Sequence, residues 1–402
     1  MDGGARGRYT VAAMSRKTII LPKGRRARLG SPWIFSNEIR MDEAAKAIAP
    51  GAIVNVRGED GRAFGTGYFN PKSLIAVRLL ADDCDAAIDA DFFAARLKRA
   101  AALRDELYPR PFYRLLHAEG DGTPGLVIDR FGDTLTVQIG TTGMEKQLPA
   151  ILAALDRVLS PATVILRADA PSRSLEGLDS YVKTVKGEGH RIAVEENGAR
   201  YIADLREGQK TGWYYDQRDN RAFIAPLAKG KTVLDAYSYT GGFGILAAKA
   251  GAAEVVCLDS SAPALALAEE SARANGVAIK AVKADVFEEL ERLAAAGERF
   301  DIVLADPPPF VKSKKDLEPG AKAYRKLARL AAGVTAPGGL LMLASCSHNI
   351  PAERFAAECA QGLLRSGRRA ALIRQCGAGA DHPVHPLLPE SAYLKAVAYA
   401  LD

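Results

Sequence analysis

The chain has 402 residues, too many for one ordinary domain, and its 48% hydrophobic and 25% charged residues are typical of a folded globular protein. No apolar run is long enough for a membrane span, and none follows the basic N-terminus, so we expect neither a membrane protein nor a signal peptide. Five cysteines without a Cys-x-x-Cys pair argue against a disulfide framework or a metal site and favour a cytoplasmic protein. The net charge of +6 is only a mild excess, but residues 1–40 contain nine Lys/Arg against two Asp/Glu, which indicates either an anionic partner or a solvated basic tail.

The N-terminal part divides into an extension and a β-rich domain. Residues 1–15 are glycine-rich and weakly patterned, so we expect a flexible extension. Residues 16–85 contain short strand-like segments separated by glycine turns, which predicts a small barrel or open β-fold. The predicted strands are 18–21, 51–56, 65–69 and 74–79.

Residues 86–190 are predicted to form a middle α+β domain. Apolar residues at helical spacing predict a helix over 89–107, with Asp91 as its cap. The remaining predicted elements are strands at 126–128, 134–139 and 163–167 and a helix at 144–159. No motif in this domain indicates a chemistry.

Residues 191–212 predict a β-hairpin that links the middle domain to the C-terminal one. Two alternating runs flank Asn197-Gly198, a dipeptide that adopts positive φ at little cost and is therefore typical of tight hairpin turns.

Residues 213–402 alternate between strand and helix patterns, which predicts an α/β domain with a mostly parallel sheet covered on both faces. The predicted strands are 232–235, 254–259, 279–285, 300–306 and 340–344, and one helix is predicted at 263–275.

Four of these five strands end in an aspartate, at the edge where open α/β sheets bind ligands. The four are Asp235, Asp259, Asp285 and Asp306. A core strand has no evident structural need for a terminal carboxylate, so we interpret them as ligand-binding residues. Asp259 can accept hydrogen bonds from ribose hydroxyls, and Asp285 with Phe287 can flank adenine, although Phe287 could equally belong to the core.

The first strand leads into a turn that ends in Gly241-Gly242, where glycine lets the backbone approach a ligand closely. The Gly-x-Gly-x-x-Gly spacing of dinucleotide sites is missing, which argues against a dehydrogenase. S-adenosylmethionine (SAM) carries a cationic sulfonium instead of a pyrophosphate, and Asp235 supplies a carboxylate near this turn. We therefore expect SAM as the cofactor.

The loop Asp306-Pro-Pro-Pro-Phe310 follows the fourth strand and is stiff, because proline fixes φ. Here the chain resembles class I nucleic-acid and protein methyltransferases, in which an Asp/Asn-Pro-Pro-aromatic loop holds a planar substrate. This resemblance implies that Asp306, Pro307, Pro308 and Phe310 contact the substrate.

Cys346 follows the fifth strand at the same sheet edge as Asp306. A lone cysteine is usually a small buried hydrophobe, but a thiolate here can add to carbon 6 of a pyrimidine and make carbon 5 nucleophilic. Asp306 could share a proton with the ring nitrogen. The base that removes the carbon-5 proton is not identified. His348 is one candidate, and the alternative is that His348 is an ordinary surface histidine without a catalytic role. Cys257 and Cys359 are interpreted as packing residues, whereas Cys84 and Cys376 are expected in loops without a partner.

With these residues in view, the chain over about 17–402 resembles the bacterial 23S ribosomal RNA cytosine methyltransferases of the RlmI type, which make 5-methylcytosine. The matching stretches, in chain order, are 21–26, 31–36, 120–130, 208–218, 237–243, 306–308, 345–348 and 381–386. The family combines an N-terminal PUA domain, a middle α+β domain and a class I Rossmann-like methyltransferase domain. The resemblance implies that 23S rRNA or a large-subunit precursor is the partner, and it is compatible with a homodimer.

The resemblance places the nucleophile at Cys346 and the cofactor around the first, second and third strands. The expected cofactor contacts are Asp235, Tyr237, Ser238, Tyr239, Thr240, Gly241, Gly242, Asp259, Ser260, Asp285, Val286 and Asp306. A PUA domain binds structured RNA, so the basic residues Lys23, Arg25 and Arg26 are expected to contact phosphates. The segment 216–218 is expected to close over cofactor or substrate, and His382 and His385 are expected in a loop near the substrate.

Two other functions remain open at this point. The Asp-Pro-Pro-Phe loop also suits methylation of an exocyclic nitrogen, a reaction that needs no cysteine. The second alternative is a non-catalytic RNA-binding or assembly factor that has kept the fold.

Overall fold

The computed structural model describes residues 16–23 and 30–402. The expected extension at 1–15 and the expected RNA contacts Arg25 and Arg26 lie outside these residues. The described chain contains three larger β-sheets and one two-stranded hairpin, and none of its helices is long and apolar enough to cross a bilayer.

The first sheet has the strand order β1-β3-β4-β5-β2. Its strands are β1 (Thr18–Leu21), β2 (Trp33–Ile34), β3 (Ala52–Gly58), β4 (Ala63–Phe69) and β5 (Val77–Ala81), and the short helix α1 spans Glu43–Lys46. Residues Val54 and Val56 of β3 are fully buried, as is Phe69 of β4, so these strands form the centre of this domain's core. The last strand begins three residues later than predicted because Leu74 is 71% exposed and pairs with no neighbouring strand.

The middle part begins with α2 (Ala90–Leu107). Its N-cap is Asp89, not Asp91 as predicted: the Asp89 carboxylate accepts hydrogen bonds from the backbone N–H groups of Asp91 and Phe92, both at 3.0 Å. The cap falls at Asp89 because this residue has an extended backbone, which lets its side chain bond to the N–H groups of the first turn that follows.

The second sheet packs against α2 and has the order β10-β9-β8-β7-β6. Its strands are β6 (Phe112–His117), β7 (Leu126–Phe131), β8 (Thr134–Ile139), β9 (Thr163–Ala168) and β10 (Tyr181–Lys186). The helix predicted at 144–159 is two helices, α3 (Thr142–Lys146) and α4 (Leu148–Leu159). The break lies at Gln147, directly before a first turn that contains Pro149, which lacks the N–H needed to continue one helix.

The predicted hairpin is confirmed as β11 (Arg191–Glu196) and β12 (Ala199–Asp204). Asn197 and Gly198 have φ of 51° and 76°, which is the backbone of a tight primed turn. The Ile202 N–H donates to Ser271 Oγ at 2.8 Å, so the hairpin is anchored to the C-terminal domain.

The third sheet has seven strands in the order β15-β14-β13-β16-β17-β19-β18, and the first five of these are parallel. The strands are β13 (Thr232–Ala236), β14 (Glu254–Asp259), β15 (Lys280–Lys283), β16 (Phe300–Ala305), β17 (Thr335–Ser345), β18 (Ala370–Cys376) and β19 (Lys395–Leu401). The antiparallel strands β18 and β19 were not predicted.

Helices cover both faces of this sheet, as predicted. They are α5 (Arg218–Ile224), α6 (Gly242–Lys249), α7 (Ala262–Ala274), α8 (Val286–Ala295), α9 (Leu317–Gly333) and α10 (Ala352–Arg365). The first three helices contribute to one apolar cluster, which contains Phe243 and Leu265, and the last three to another, which contains Leu327 and Phe355. The parallel strands therefore end together at one open edge between the two helical layers.

Candidate active site

A cleft of about 540 Å³ lies at the carboxyl edge of the parallel strands. It brings together most of the residues that the sequence analysis singled out in this domain. The expected residues that line it are Asp235, Tyr237, Ser238, Tyr239, Thr240, Gly242, Asp259, Ser260, Asp285, Asp306, Pro307, Pro308, Phe310 and Cys346.

Three expected residues do not line the cleft. The side chain of Val286 is buried in the core beside Leu290. Gly241 is the N-cap of α6 at φ 78°, where a Cβ atom would lie 2.9 Å from Ile245 Cδ1, so its role is to permit close packing. Lys23 lies in the N-terminal domain, in the turn after β1, where its backbone N–H donates to Glu59.

The turn between β13 and α6 has a strained backbone. Tyr237 and Tyr239 have φ of 62° and 50°, a left-handed conformation that costs an aromatic residue free energy and persists only when the surroundings hold it. The Tyr239 N–H donates to Asp259 Oδ2 at 2.9 Å, which holds the turn against the end of β14. Strain of this kind concentrates at ligand-binding segments.

The strand-end carboxylates also have local structural partners, contrary to our expectation that a strand gains nothing from them. Asp235 accepts a hydrogen bond from the Gly244 N–H at 2.8 Å, and Asp285 caps α8 by accepting from the N–H groups of Phe287 and Glu288. Asp259 accepts from Ser261 as well as from the turn. These bonds fix the orientation of each carboxylate at the cleft.

Burial changes the acidity of two cleft carboxylates. It raises the pKa of Asp235 to about 7 and the pKa of Asp306 to about 6, because a buried carboxylate loses its hydration. The negative charge of Asp216 raises the pKa of Asp306 further. A carboxyl group with a pKa near neutrality can both donate and accept a proton, which is what sharing a proton with a ring nitrogen requires.

Cys346 lies in the same cleft, with its Sγ 3.9 Å from the carbonyl oxygen of Pro307. Burial raises the pKa of its thiol to about 11, while the positive charge of Lys210 lowers it. The nucleophile candidate is therefore protonated in the free protein and is activated only when a proton acceptor or the bound ligands change its surroundings.

The hydroxyl of Tyr324 holds the loop on both sides of Cys346. It accepts a hydrogen bond from Ser345 Oγ at 2.7 Å and is 2.8 Å from Ser347 Oγ. It also accepts from the Phe310 N–H at 3.4 Å. One buried hydroxyl thus joins the cysteine loop to the Asp-Pro-Pro-Pro-Phe loop.

The segment before α5 contributes much of the cleft wall. Phe287 lines the cleft, as the interpretation that it flanks adenine requires. The cleft residues that we did not predict are Gln209, Lys210, Trp213, Tyr214, Arg221, Phe243, Pro309 and Leu394. The stretch 208–218 is one of those that carry the family resemblance, and this resemblance was the sequence signal that could have identified its residues as part of the site. Closure of the segment 216–218 over a ligand stays a prediction, but Asp216 and Gln217 do line the cleft.

Glu196 of the hairpin anchors this segment from behind. Its buried carboxylate accepts a hydrogen bond from Arg221 Nη1 at 2.6 Å and another from Trp213 Nε1 at 3.1 Å. The Arg221 guanidinium lies 4.4 Å from the centre of the Trp213 ring. The hairpin therefore helps to shape the cleft.

The histidines and the two loop cysteines have defined environments. His348 is exposed and stacks on Tyr393 at 5.2 Å, in line with a surface histidine. His382 is buried instead of facing a substrate, because its Nδ1 pairs with Asp381 Oδ1 at 2.8 Å. His385 lies in a separate cleft beside the N-terminal domain.

The expectation that Cys84 and Cys376 lack a partner was wrong. The Cys376 thiol lies at the end of β18, 2.9 Å from Asn220 Oδ1, and the Cys84 thiol is 3.5 Å from the carbonyl of Gly65. Cys257 and Cys359 are buried in a strand and a helix, as expected.

The cleft suits a cationic adenosyl group. Its described lining contains five aspartates against Lys210 and Arg221, and the charge of Arg221 is already paired with Glu196. Ser238 Oγ and Thr240 Oγ1, on the strained turn, are buried and have no hydrogen-bond partner among the described residues. Free hydroxyls and excess carboxylates match the amino, sulfonium and hydroxyl groups of SAM better than a pyrophosphate.

Comparison with known proteins gives two family matches. Residues 114–368 match the S-adenosylmethionine-dependent methyltransferase family, and residues 22–82 match the PUA-like domain. Ribosomal RNA large subunit methyltransferase I of Shewanella denitrificans is 39% identical over 372 residues, which are 90% of this chain and 94% of the relative. The enzyme of the same name from Aeromonas salmonicida is 38% identical over 387 residues, 94% of this chain and 97% of the relative.

Solved structures show the same fold. A methyltransferase crystallised in complex with SAH superposes with a TM-score of 0.82 at 21% identity, covering 96% of this chain and all of the other chain. A SAM-dependent methyltransferase from Streptococcus mutans superposes with a TM-score of 0.81 at 22% identity, with the same coverage. The predicted fold class, a Rossmann-like methyltransferase domain behind a β-rich PUA-like domain, is confirmed.

Proposed function

Because the chain belongs to the family of S-adenosylmethionine-dependent methyltransferases with an N-terminal PUA-like domain, we propose that it methylates carbon 5 of a cytidine in 23S ribosomal RNA, with Cys346 as the nucleophile. Its relatives are named ribosomal RNA large subunit methyltransferase I. The observation that carries the proposal is the presence of Cys346, Asp306 and the strained, acidic turn in one cleft.

The residues at the two ends of the cleft have different tasks. When bound, SAM supplies an electrophilic methyl group. Asp235, Asp259 and Asp285, together with the turn at 237–242, would hold it by its charged groups and hydroxyls. Pro307, Pro308 and Phe310 would hold the cytosine ring.

Cys346 and Asp306 then carry the covalent chemistry on the base. The thiolate adds to carbon 6 while Asp306 shares a proton with the ring nitrogen, which makes carbon 5 nucleophilic enough for methylation. After methylation the carbon-5 proton leaves to a base, the double bond re-forms and the thiolate departs. Asp306 suits this role because its pKa of about 6 lets it hold the proton at one stage and release it at another.

The other domains would bring the RNA to the cleft. We assign RNA binding to the PUA-like domain at 16–85, with phosphate contacts from Lys23, Arg25 and Arg26. The middle domain spans 86–190, the hairpin at 191–212 links it to the next domain, and the methyltransferase domain spans 213–402. Phosphate contacts position the RNA without reading its sequence. This substrate places the protein in the cytoplasm. A homodimer stays a prediction that light scattering tests.

The first experiment measures transfer of tritiated methyl from SAM to 23S rRNA purified from cells that lack this protein, followed by nucleoside analysis. Label in 5-methylcytidine is the expected result. Label in a base methylated on an exocyclic nitrogen would keep the cofactor and fold but remove the role of Cys346. No label on naked or ribosomal RNA would contradict the proposed substrate and favour an assembly factor.

The second experiment removes the nucleophile. Cys346→Ala should lower methyl transfer by about 10³-fold or more, because a reaction with a covalent step loses most of its rate with the nucleophile. SAM binding, measured by calorimetry, should persist. Cys84→Ala, which removes a thiol in the N-terminal domain, is the control and should retain activity. Turnover of Cys346→Ala at the wild-type rate excludes the covalent mechanism.

A further inference from the structure

The proposed reaction leaves one proton unassigned: the hydrogen on carbon 5 of the cytosine, which must be removed after methylation. Resting on the proposed function, we propose that Asp216 is the base that removes this proton. Asp216 lies on the short helical turn before α5 and lines the same cleft as Cys346 and Asp306.

The Asp216 carboxylate is held at one oxygen and free at the other. Its Oδ2 accepts a hydrogen bond from the Tyr393 hydroxyl at 2.5 Å, and its backbone carbonyl accepts from the Gly379 N–H at 3.1 Å. The side chain is only 4% exposed, yet Oδ1 has no hydrogen-bond partner among the described residues. Leaving a buried carboxylate oxygen unpaired is costly, so a fixed oxygen of this kind indicates a functional constraint.

Asp216 is close enough to Cys346 and Asp306 for its charge to act on both side chains. Its negative charge raises the pKa of Cys346 and the pKa of Asp306. Burial alone would raise the pKa of Asp216, but Lys210, His382 and the hydrogen bond from Tyr393 lower this pKa below its usual value. The carboxylate is therefore ionised in the free protein, as a proton acceptor must be.

Three other titratable groups nearby are less suited to this step. Lys395 donates its amino hydrogens to the carbonyl oxygens of Ser347 and Ile350, behind the cysteine loop. His348 is exposed and stacked on Tyr393, and it does not line the cleft. Asp306 is already engaged with the ring nitrogen in the proposed mechanism.

The step balances as a β-elimination. Asp216 Oδ1 takes the proton from carbon 5, the electrons of that C–H bond form the carbon 5–carbon 6 double bond, and the carbon 6–sulfur bond breaks with its electrons on Cys346. The products are 5-methylcytidine, a thiolate and a protonated Asp216. No oxidant or additional reactant is needed.

Asp216→Asn separates this step from the earlier ones, because the amide keeps the shape of the side chain but cannot accept the proton. With the tritium assay on 23S rRNA, we expect release of 5-methylcytidine to fall by about 10²–10⁴-fold, the usual contribution of a positioned base. Methyl transfer to the bound base should persist for one turnover. The labelled RNA should then remain covalently attached to the protein and migrate with it on a denaturing gel.

Asp219→Asn is the matched control, since Asp219 is exposed three residues further along the same segment. It should release product like the wild type and accumulate no complex. Calorimetric SAM binding shows that each variant is folded. If Asp216→Asn is unstable, Asp216→Ala is assayed with and without formate, and formate, which restores a carboxylate, should release the trapped RNA.

Either of two results overturns the proposal: release of 5-methylcytidine by Asp216→Asn within about twofold of the wild type, or a folded, SAM-binding variant that loses activity without accumulating the covalent complex. Failure of the proposed function is seen separately, in the wild type, as the absence of 5-methylcytidine or as an active Cys346→Ala variant.

Discussion

Asp235 illustrates how one buried residue serves both the fold and the site. Its carboxylate accepts the Gly244 N–H, which fixes the start of α6 against β13, and it also lines the cleft. A single hydrogen bond does not replace the water that the carboxylate loses, so its pKa rises to about 7. In the free protein, the ionised Asp235 carboxylate therefore destabilises the fold at alkaline pH. It lies where a cationic ligand would offset the cost of this buried negative charge.

Asp235→Asn tests this account through the pH dependence of stability without ligand. The unfolded carboxyl ionises near pH 3.8 and the folded one near pH 7, so the wild type loses stability as the pH rises between these values and no further above them. The gain in free energy of unfolding for Asp235→Asn should therefore grow from pH 4 to pH 7, reach up to about 4 kcal/mol and then level off. Chemical denaturation at several pH values measures it, with exposed Asp219→Asn as the control; an equal effect at pH 4 and pH 8 contradicts the account.

At the scale of elements, α9 connects the two loops that carry Cys346 and Phe310. These loops follow different strands, β17 and β16, and the Tyr324 hydroxyl of α9 contacts Ser345, Ser347 and the Phe310 N–H. The Val311 N–H donates to Ser347 Oγ at 3.2 Å and closes this network. Because the loops share one set of hydrogen bonds, the position of Cys346 depends on the position of the proline-rich loop.

Tyr324→Phe removes this shared hydroxyl and keeps the ring in the core. We expect a loss of about 1–2 kcal/mol in the free energy of unfolding, as for buried hydrogen bonds, and about a tenfold fall in kcat for methyl transfer. The Kd for SAM should stay within about twofold, because the adenosyl end of the cleft is separate. Tyr399→Phe, in the same apolar cluster, controls for the loss of a tyrosine hydroxyl. A change confined to stability, with kcat unaltered, would show that the network does not position the reacting groups.

At the scale of the whole molecule, buried hydrogen bonds join the middle domain to the C-terminal one. Arg104 of α2 is fully buried and makes a bidentate pair with Asp121 at 2.7–2.8 Å. The same guanidinium donates to the backbone carbonyl of Asp381 at 3.0 Å, and Asp381 Oδ2 accepts from the Arg114 N–H at 2.9 Å. The loop that carries Asp381 and His382 is thereby tied to the middle domain.

Arg104→Met keeps the apolar stem of the side chain but leaves the Asp121 carboxylate buried without its partner. Breaking a buried pair in this way costs about 3–5 kcal/mol, so we expect a lower Tm in differential scanning calorimetry. Arg99→Met, on the exposed side of the same helix, is the control and should change stability by less than about 0.5 kcal/mol. A change below about 1 kcal/mol for Arg104→Met would mean that water replaces the lost pair.

Much of the fold and the cofactor end of the cleft could be predicted from the sequence, because their signals are local. The Asn197-Gly198 turn, the strand periods of 232–259 and the placement of Asp259 all lie within a few residues of the feature they determine. Cys346 and the proline-rich loop were predicted as cleft residues for the same reason: parallel strands end at one edge, whatever their order in the sheet.

Only the tertiary structure decided which distant side chains complete the site. Tyr324 of α9 contacts Ser345 and Ser347, which lie at and just after the end of β17, and the Asp216 carboxylate accepts a hydrogen bond from Tyr393, 177 positions away. Strand β18 was missed because most of its residues are exposed, so it carries no burial period that a sequence pattern can reveal. A contact between residues far apart in the chain depends on the packing of whole elements, whereas periodicity and turn chemistry report only on neighbours. The sequence by itself therefore determined the parallel α/β architecture and the sheet edge at which the cleft lies, and the tertiary structure determined the network around Cys346.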